Sequence, residues 1–525
     1  MSTFLSTFNR REVLQHAGAI GLGTALLTKF GTIAQAGESS DATQPPSHLV
    51  LETIKAGGLS HYSYFIGDKT AGVAVVIDPR RDVQVYLDLA EKHGMTITHA
   101  VETHVHADFV SGSRELADRT GTARIVASIE GDPGYGFKLD RPLRDGDQLT
   151  VGSIQLRGIH TPGHTPEHMS YLASSKDTGK AWGLFTGDFL FVGSVGRPDL
   201  MGVKNTDSLA KSLYQSVQNA YAQLPGELTI YPAHGPGSPC GAGIKAPEGD
   251  PTLAKERQGN PYWRMNDEAM FIEALLSAQP PVPYYWPRMK EINLAGPEIL
   301  GGTPHVQRLK PDAFDRELRS NDMQLLDLRL MQAFAGGHIR GAMNIGYNEV
   351  LSMWGGWMLD PDRPIAIVKP AEGNFEDPLD WLSRVGLTNV KVALDGDMKA
   401  WINSGREFDS FQTMSVHDVK RQFPTDQMTL LDVRQPSEWD MGHIPGAKYM
   451  FLPEIPKRIS ELDQRKPVIV YCGNGYRASV AVSVLRANGF DARTVPGSWD
   501  AWTAAGYKAM KPAKPGKASD TTRTA

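Results

Sequence analysis

The hydrophobic and polar positions in the first half of the chain follow the pattern of an α/β domain. Residues 73–78 (VAVVID) and 97–101 (ITHAV) are short apolar runs typical of buried strands, and residues 83–94 between them have the spacing of an amphipathic helix. The pattern ends at a proline-dense run, AQPPVPYYWP, at residues 278–287. We therefore expect a first folded unit over residues 48–290.

The second half of the chain repeats itself. The segment LLDLR at 325–329 returns as LLDVR at 430–434, and the segment GHIRGA at 337–342 returns as GHIPGA at 442–447. Each copy reads as strand, turn, strand, loop and helix, which indicates a parallel sheet covered by helices. We predict two α/β units over residues 305–410 and 411–510, followed by a polar, disordered tail over residues 511–525.

The N-terminal segment has the features of an export signal. Arg10 and Arg11 precede a short apolar run at 17–27, and a small-residue AQA pattern follows. Eleven apolar residues are too few to span about 30 Å of hydrocarbon, which disfavours a membrane anchor. The sequence predicts a cleaved twin-arginine-type signal over residues 1–36, a linker over 37–47 and a periplasmic protein that does not bind the membrane after cleavage.

Composition removes several classes of function. The 525 residues carry a formal net charge of -5, which argues against a nucleic-acid-binding face. Only Cys240 and Cys472 carry thiols, too few for a disulfide scaffold or a cysteine-rich zinc site.

Metal-ligand residues recur in four short segments of the first unit. The segments are THVHADF, HTPGHTPEH, FTGDFLF and YPAHG, and each follows an apolar run, where a rigid scaffold can bring loops together. The candidate ligands are His104, His106, Asp108, His164, Asp188 and His234.

This order of motifs closely resembles the metallo-β-lactamase superfamily over about residues 49–287. The resemblance implies an αββα sandwich, so that the whole chain is a multi-domain α/β protein. The family pattern H-x-H-x-D-H supports two metals, but Phe109 stands where the last histidine is expected. Because phenylalanine cannot bind a metal, a two-zinc hydrolase is disfavoured. Two imidazoles and one carboxylate with open positions suit mononuclear non-haem Fe(II).

Within that superfamily the chain most resembles the persulfide dioxygenases, including the run GSVGRPDL at 193–200. The resemblance implies that the iron ligands are His104, His164 and Asp188. It makes His106, Asp108 and His234 either supporting groups around those ligands or a second metal position. Arg197 is a candidate for binding a substrate carboxylate, with an ion pair to Asp199 as the alternative. Cys240 is expected near the metal, as a packed thiol or as a sulfur acceptor.

The last unit contains a second reactive site. In VIVYCGNGYRAS a buried strand ends at Cys472, and a glycine-rich loop then leads into a helix. Backbone N–H groups around Gly473 and Gly475 and the charge of Arg477 are placed to stabilise a thiolate and bind an anionic substrate. The segment resembles the rhodanese family, and its six-residue loop resembles the sulfur-handling members. The resemblance implies that Cys472 carries a persulfide.

The first copy lacks this site. Lys369 stands at the position of Cys472, and the following PAEGNFEDP has no glycine-rich cradle, so we expect a degenerate copy without sulfur transfer. Three polar residues persist in both copies and are therefore interpreted as contacts that hold the fold. They are Asp327, Arg329 and His338 in the first copy and Asp432, Arg434 and His443 in the second.

Together the resemblances imply a persulfide dioxygenase fused to two rhodanese domains. Such an enzyme oxidises a glutathione-like persulfide with O2 to sulfite at one Fe(II) per chain, and transfers sulfur among thiosulfate, sulfite and thiols. A homodimer is compatible with the sequence. Two alternatives stay open: a Zn-dependent thioester hydrolase of the glyoxalase II type, and a non-catalytic sulfur carrier.

Overall fold

The computed structural model describes residues 43–370 and 372–512. The predicted signal at 1–36 and all but two residues of the predicted tail lie outside these ranges, and so does most of the linker. Among the described residues, no helix combines the length and the apolar character needed to cross a bilayer.

The first unit is built from thirteen strands and six helices. Its strands are β1 (Leu49–Ala56), β2 (His61–Asp68), β3 (Val73–Ile77), β4 (Thr96–Val101), β5 (Arg124–Ser128), β6 (Arg141–Leu143), β7 (Gln148–Val151), β8 (Ile154–His160), β9 (Met169–Ser175), β10 (Ala181–Gly187), β11 (Leu190–Phe191), β12 (Ser194–Val195) and β13 (Thr229–Pro232). Its helices are α1 (Gln84–His93), α2 (Ser113–Thr120), α3 (Val203–Asn219), α4 (Leu253–Gly259), α5 (Glu268–Ala278) and α6 (Trp286–Ala295), with a 3₁₀ turn at Asp199–Met201.

Two sheets pack face to face in this unit. The first has the order β1-β2-β3-β4-β5-β6 and the second the order β13-β10-β9-β8-β7. Ile66 and Val75 on one inner face meet Leu156 and Phe185 on the other, and burial of these apolar side chains holds the layers together. Helices α1 and α2 cover one outer face, while α3 and α5 cover the other. The predicted αββα sandwich is confirmed.

Helix α6 extends the first unit beyond the proline-dense boundary. The Asn293 amide donates to the carbonyl oxygens of His106 and Phe109, each at 2.8 Å, and its own oxygen accepts from the Ser111 N–H at 2.9 Å. Arg114 donates to the carbonyls of Gly296 and Pro297. The chain after residue 287 therefore packs back on the H-x-H-x-D loop instead of leaving the domain.

The two later units share one topology. The first has β14 (Gln307–Leu309), α7 (Pro311–Ser320), β15 (Gln324–Asp327), α8 (Met331–Gly336), β16 (Met343–Asn344), α9 (Leu351–Met358), β17 (Ile365–Val368), α10 (Asp377–Ser383), β18 (Val390–Leu394) and α11 (Asp397–Asn403). The second has α12 (Val416–Gln422), β19 (Thr429–Asp432), α13 (Pro436–Met441), β20 (Lys448–Tyr449), α14 (Ile455–Arg458), β21 (Val468–Tyr471), α15 (Tyr476–Ala487), β22 (Ala492–Thr494) and α16 (Ser498–Ala504), with 3₁₀ turns at Leu452–Glu454 and Ile459–Glu461.

Both sheets are parallel, and their strand orders match. The first copy has the order β14-β18-β17-β15-β16 and the second the order β20-β19-β21-β22, so β16-β15-β17-β18 corresponds to β20-β19-β21-β22. Asp327 pairs with Val368 in the first copy as Asp432 pairs with Tyr471 in the second. This register places Lys369 at the position of Cys472, and the predicted repeat of two α/β units is confirmed.

Candidate functional site

Three loops of the first unit bring two histidines and one aspartate to one point. His104 follows β4, His164 follows β8, and Asp188 follows β10. The Asp188 Oδ2 atom lies 3.8 Å from His104 Nε2 and 3.3 Å from His164 Nε2. The ligand atoms of the three residues all lie within 4.8 Å of one another, and all three residues are buried.

These three converging atoms have no hydrogen-bond partner among the residues that the structure describes. His104 Nε2, His164 Nε2 and Asp188 Oδ2 are each buried and unsatisfied. A buried polar atom without a partner is costly, and three that face one point are explained by a cation between them. Two imidazoles and one carboxylate are ligands that suit zinc or iron. The residues therefore fit a metal ion.

The opposite side of each ligand is held by the protein. The His164 Nδ1–H donates to the Arg197 carbonyl at 2.9 Å, and the His104 Nδ1–H donates to Thr103 Oγ1 at 2.9 Å. Thr103 in turn donates to Asp78 at 2.9 Å. These bonds leave both Nε2 atoms as acceptors, because the proton of each neutral imidazole is used on the outer side.

The ionisation of the three residues also favours a cation. Burial lowers the pKa of His164 to about 4 and lowers that of His104 well below its usual value. Burial would raise the pKa of Asp188, but the neighbouring charge of His234 and its hydrogen bond hold this pKa well below its ordinary range. At neutral pH the set consists of two neutral imidazoles and one carboxylate, which are the ligand forms.

His234 connects this set to a second buried group. Its Nδ1 bonds Asp188 Oδ1 at 2.7 Å and its Nε2 bonds Asp108 Oδ2 at 2.9 Å. Burial opposes protonation of His234, yet Asp188, Cys240 and Asp108 together raise its pKa well above its usual value. Asp108, His234 and Cys240 bring their ligand atoms within 4.8 Å of one another and could hold a metal, but both His234 nitrogens already contact carboxylates.

His106 turns away from the first set. Its Nε2 lies 3.1 Å from Glu102 Oε2 and 3.3 Å from Asp78 Oδ1. Burial lowers the pKa of His106, but the two carboxylates outweigh burial and raise it to about 10. His106, Asp78 and Glu102 are a third group that could hold a metal. His106 is placed as a supporting cation beside His104, with ring centroids 4.2 Å apart.

Phe109 occupies apolar space beside this site. Its ring is buried, and the ring centroid lies 4.1 Å from that of His61 and 4.4 Å from that of His106. A cavity of about 20 Å³ adjoins His104 and His106. Apolar side chains such as Ile125, Phe137 and Leu139 line one part of it, and Glu102 and Arg114 are among the polar residues that line the rest.

Arg197 has the ion pair that the sequence left as its alternative role. Its Nε and Nη2 donate to the two oxygens of Asp199 at 2.6 and 2.8 Å, and its Nη1 donates to the Pro239 carbonyl at 2.9 Å. The guanidinium lies over the Trp286 ring and is buried. Because the donor fork is occupied, this geometry does not offer Arg197 to a substrate carboxylate; its backbone carbonyl instead orients His164.

Cys240 lies close to His234 and Asp108, as expected from the sequence. It is buried, and burial raises the pKa of its thiol above the usual value. Its backbone carbonyl accepts from the backbone N–H of Arg197 at 3.1 Å. This bond connects the Cys240 loop to the residue whose carbonyl orients His164. The position suits a packed thiol.

The second reactive site lies at the end of β21. The Gly475 N–H donates to Cys472 Sγ at 3.1 Å, and α15 begins at the next residue. Gly475 has φ +112°, a conformation that L side chains rarely adopt, so glycine lets the loop aim this N–H at the sulfur. The helix N-terminus adds partial positive charge beside the sulfur. Of the N–H groups that the sequence predicts around Cys472, that of Gly475 contacts the sulfur.

Arg477 is paired with a residue that the sequence analysis missed. Its guanidinium binds both oxygens of Glu438, with Nη2–Oε1 at 2.8 Å and Nη1–Oε2 at 2.5 Å. Burial would lower the pKa of Arg477, but Glu438 and the Cys472 sulfur raise it above its usual value. Glu438 lies on α13, 39 positions before Arg477, and only its helix-capping position was visible in the sequence.

Other supporting residues were also missed. Asp78 and Glu102 hold His106, and the His168 Nε2 accepts from the Asp188 N–H at 3.0 Å. Asp78 directly follows β3, and Glu102 directly follows β4. An acidic residue at the end of a buried strand was the available signal.

Family models match all three units of the chain. The model described as the metallo-beta-lactamase superfamily matches residues 56–234, and the rhodanese-like domain model matches residues 310–404 and 415–505. A solved metallo-beta-lactamase from Staphylococcus aureus subsp. aureus COL is 34% identical, with a TM-score of 0.59. The alignment covers 66% of this chain and 99% of that one.

The chain belongs to the metallo-β-lactamase superfamily. Two rhodanese-like domains follow its metallo-β-lactamase domain, so the fused architecture expected from the sequence is confirmed.

Two curated relatives of the metallo-β-lactamase domain carry different activities. Persulfide dioxygenase ETHE1, mitochondrial, from Homo sapiens is 32% identical over 179 residues, or 33% of this chain. Hydroxyacylglutathione hydrolase cytoplasmic from Arabidopsis thaliana is 33% identical over 181 residues, also 33% of this chain. The chain spans 63% of the length of each relative.

Proposed function

We propose that the chain is a persulfide dioxygenase joined to a sulfurtransferase. In the first reaction a low-molecular-weight persulfide, O2 and water give the thiol, sulfite and two protons. The observation that carries this proposal is the convergence of three unsatisfied ligand atoms from His104, His164 and Asp188, without a nitrogen donor at position 109. The similarity to the human persulfide dioxygenase supports the same reaction.

A ferrous ion bound by His104, His164 and Asp188 would supply the oxygen chemistry. The protein fixes the three ligands through their outer hydrogen bonds and keeps Asp188 ionised through His234. Burial of the set excludes bulk water from the reacting groups. The small cavity beside His104, lined in part by apolar side chains, suits a molecule the size of O2.

At the second site we propose sulfur transfer through Cys472. Its thiolate attacks the outer sulfur of a persulfide, the S–S bond breaks, and the thiol leaves with the electron pair. Sulfite then attacks the outer sulfur of the Cys472 persulfide, which forms thiosulfate and returns the thiolate. The Gly475 N–H and Arg477 lie beside the sulfur, where they stabilise its negative charge in each step.

Coupling follows from the products of the two sites. The first reaction makes sulfite, and the second consumes sulfite together with a further persulfide. The net product of both is thiosulfate. We further propose that the protein acts in the periplasm, because the twin-arginine-type segment precedes the folded units.

A thioester hydrolase with zinc is the second candidate. The similarity to hydroxyacylglutathione hydrolase favours it. Two features disfavour it: Phe109 cannot bind a metal, and His106 Nε2 contacts Asp78 and Glu102 instead of the shared point.

Metal analysis combined with oxygen uptake separates the two candidates. We expect one iron per chain and O2 consumption that depends on glutathione persulfide. Asp188→Ala should lose both the metal and the activity, while Asp118→Ala, at an exposed position on α2, should keep both. Two zinc ions per chain with thioester cleavage would overturn the proposal in favour of the hydrolase.

A further inference from the structure

Helix α15 begins directly after Gly475, whose N–H bonds Cys472 Sγ, and it presents one polar face to the first rhodanese-like copy. Tyr476, Ser479, Ser483 and Arg486 are three or four positions apart and therefore lie on one side of the helix. Each of these side chains bonds to the first copy or to the segment that connects the copies.

The central contact is Asn344 on β16. The Ser479 hydroxyl donates to Asn344 Oδ1, and the Asn344 N–H donates to Ser483 Oγ at 3.1 Å. All three residues are at most 3% exposed. Loss of either partner would leave a buried polar group unsatisfied. The contact therefore opposes both rotation of α15 and its movement along the helix axis.

Asn344 is itself held rigidly by the first copy. Its Nδ2 donates to the carbonyls of Asp327 at 2.9 Å and Arg329 at 2.8 Å, the residues at the end of β15. With both amide hydrogens used there, the Asn344 oxygen is directed towards Ser479. The sheet of the first copy thereby holds α15 in place through Asn344.

The first copy also touches the turn that bonds the sulfur. The Tyr476 hydroxyl donates to the Gly346 carbonyl at 3.0 Å. The Met331 side chain packs on Gly475, where a Cβ would lie 2.7 Å from Met331 Cε. Because Gly475 donates its N–H to Cys472 Sγ, the Tyr476 and Met331 contacts both act on the turn that holds this donor.

We propose that the degenerate copy is the positioning element of the Cys472 site, with Asn344 as its principal positioning residue. Asn344, Gly346 and Met331 hold α15 so that its N-terminus and the Gly475 N–H face the sulfur. Preorganised donors are effective only when their geometry is held before charge develops. The effect on catalysis rests on the proposed sulfur transfer, whereas the effect on the reactivity of Cys472 does not depend on its substrate.

The test uses the full chain and two readouts. The first is the rate at which iodoacetamide alkylates Cys472 at neutral pH, followed by mass spectrometry of the peptide that contains Cys472. The second is kcat and KM for sulfur transfer from thiosulfate to a thiol. For Asn344→Ala we expect the alkylation rate and kcat each to fall about tenfold with KM unchanged. Asn321→Ala, an exposed asparagine of the same copy, should leave both at the wild-type level.

A double-mutant cycle gives the decisive result. Ser479→Ala combined with Asn344→Ala should be no slower than Asn344→Ala alone, because the two side chains act as one contact. Rates within twofold of wild type in a folded Asn344→Ala protein would overturn the proposal. If Asn344→Ala does not fold, Tyr476→Phe decides in its place, with a loss of alkylation rate in support and no loss against.

The two readouts also separate this inference from the proposed function. An alkylation rate that depends on Asn344 in a chain without sulfur transfer would support the positioning role and reject the transferase. Efficient sulfur transfer that does not depend on Asn344 would do the reverse.

Discussion

The two rhodanese-like copies use the same contacts to hold their sheets. In the first, Arg329 binds Asp327 and the Gly337 carbonyl; in the second, Arg434 binds Asp432 and the Gly442 carbonyl. His338 stacks on Phe334, and His443 stacks on Trp439. These residues were predicted to hold the fold because they persist without the nucleophile, and their partners in both copies fit that role.

The copies differ in the loop after the central strand. In the second, α15 begins at Tyr476, shortly after Cys472, and its N-terminus faces the sulfur. In the first copy, α10 begins only at Asp377. The Lys369 amine, which replaces the thiol, makes a long hydrogen bond of 3.5 Å to the Gly373 carbonyl. The sheet contacts are therefore common to both copies, whereas the nucleophile, the short loop and the Glu438–Arg477 pair belong to the second copy.

Removal of the buried carboxylate should produce the largest change in stability. Asp432→Asn and Asp327→Asn each leave a largely buried arginine without its charged partner, and we expect each to lower the free energy of unfolding by about 3–5 kcal/mol. Urea unfolding of the two variants measures this. If only the Asp432 variant is destabilised, the pair in the first copy has no part in holding its fold.

Loss of the Glu438 charge should affect sulfur transfer only. Glu438→Gln frees Arg477 from its bidentate partner, and we expect roughly a 10- to 100-fold lower kcat for thiosulfate-to-thiol transfer. Glu454→Gln is the matched control, because Glu454 is likewise paired with an arginine, Arg458. An equal loss in both variants would place the cause outside the site.

The stacked histidines should give the smallest effect, seen as a dependence of stability on pH. Burial lowers the pKa of both His338 and His443. The unfolded chain protonates histidine near pH 6.5, so below that pH it binds more protons than the folded protein and stability falls. Between about pH 7 and pH 5 we expect a loss of roughly 1 kcal/mol or less per histidine.

Chemical unfolding across this pH range should show a flatter dependence in His338→Gln and His443→Gln than in the wild type. A steeper dependence in either variant would show that its histidine is stabilised by protonation in the folded protein, opposite to the expected sign.

Much of the fold could be predicted from local sequence. The apolar runs at 73–78 and 97–101 became β3 and β4, and the repeated LLDLR and LLDVR segments became β15 and β19 with the arginines that follow them. The metal-site residues were found because each follows a strand, β4, β8 or β10, and strand ends are visible in a hydrophobic pattern.

The supporting contacts could not be predicted, because they join distant positions. Glu438 reaches Arg477 over 39 positions, and Ser479 reaches Asn344 over 135. The proline-dense run at 278–287 hid the return of α6 to the metal loop, since composition cannot show which surface a later helix contacts. The ion pair of Arg197 with Asp199 was one of two roles that the sequence allowed, and geometry favours it.

The central claim is a division of labour between a metal site that makes sulfite and a thiol that consumes it. The most direct measurement quantifies sulfite and thiosulfate formed from glutathione persulfide and O2 by the wild type and by Cys472→Ser. We expect the wild type to release thiosulfate, and Cys472→Ser to consume O2 and accumulate sulfite without enzymatic formation of thiosulfate. Thiosulfate formed equally fast by both proteins would contradict the account.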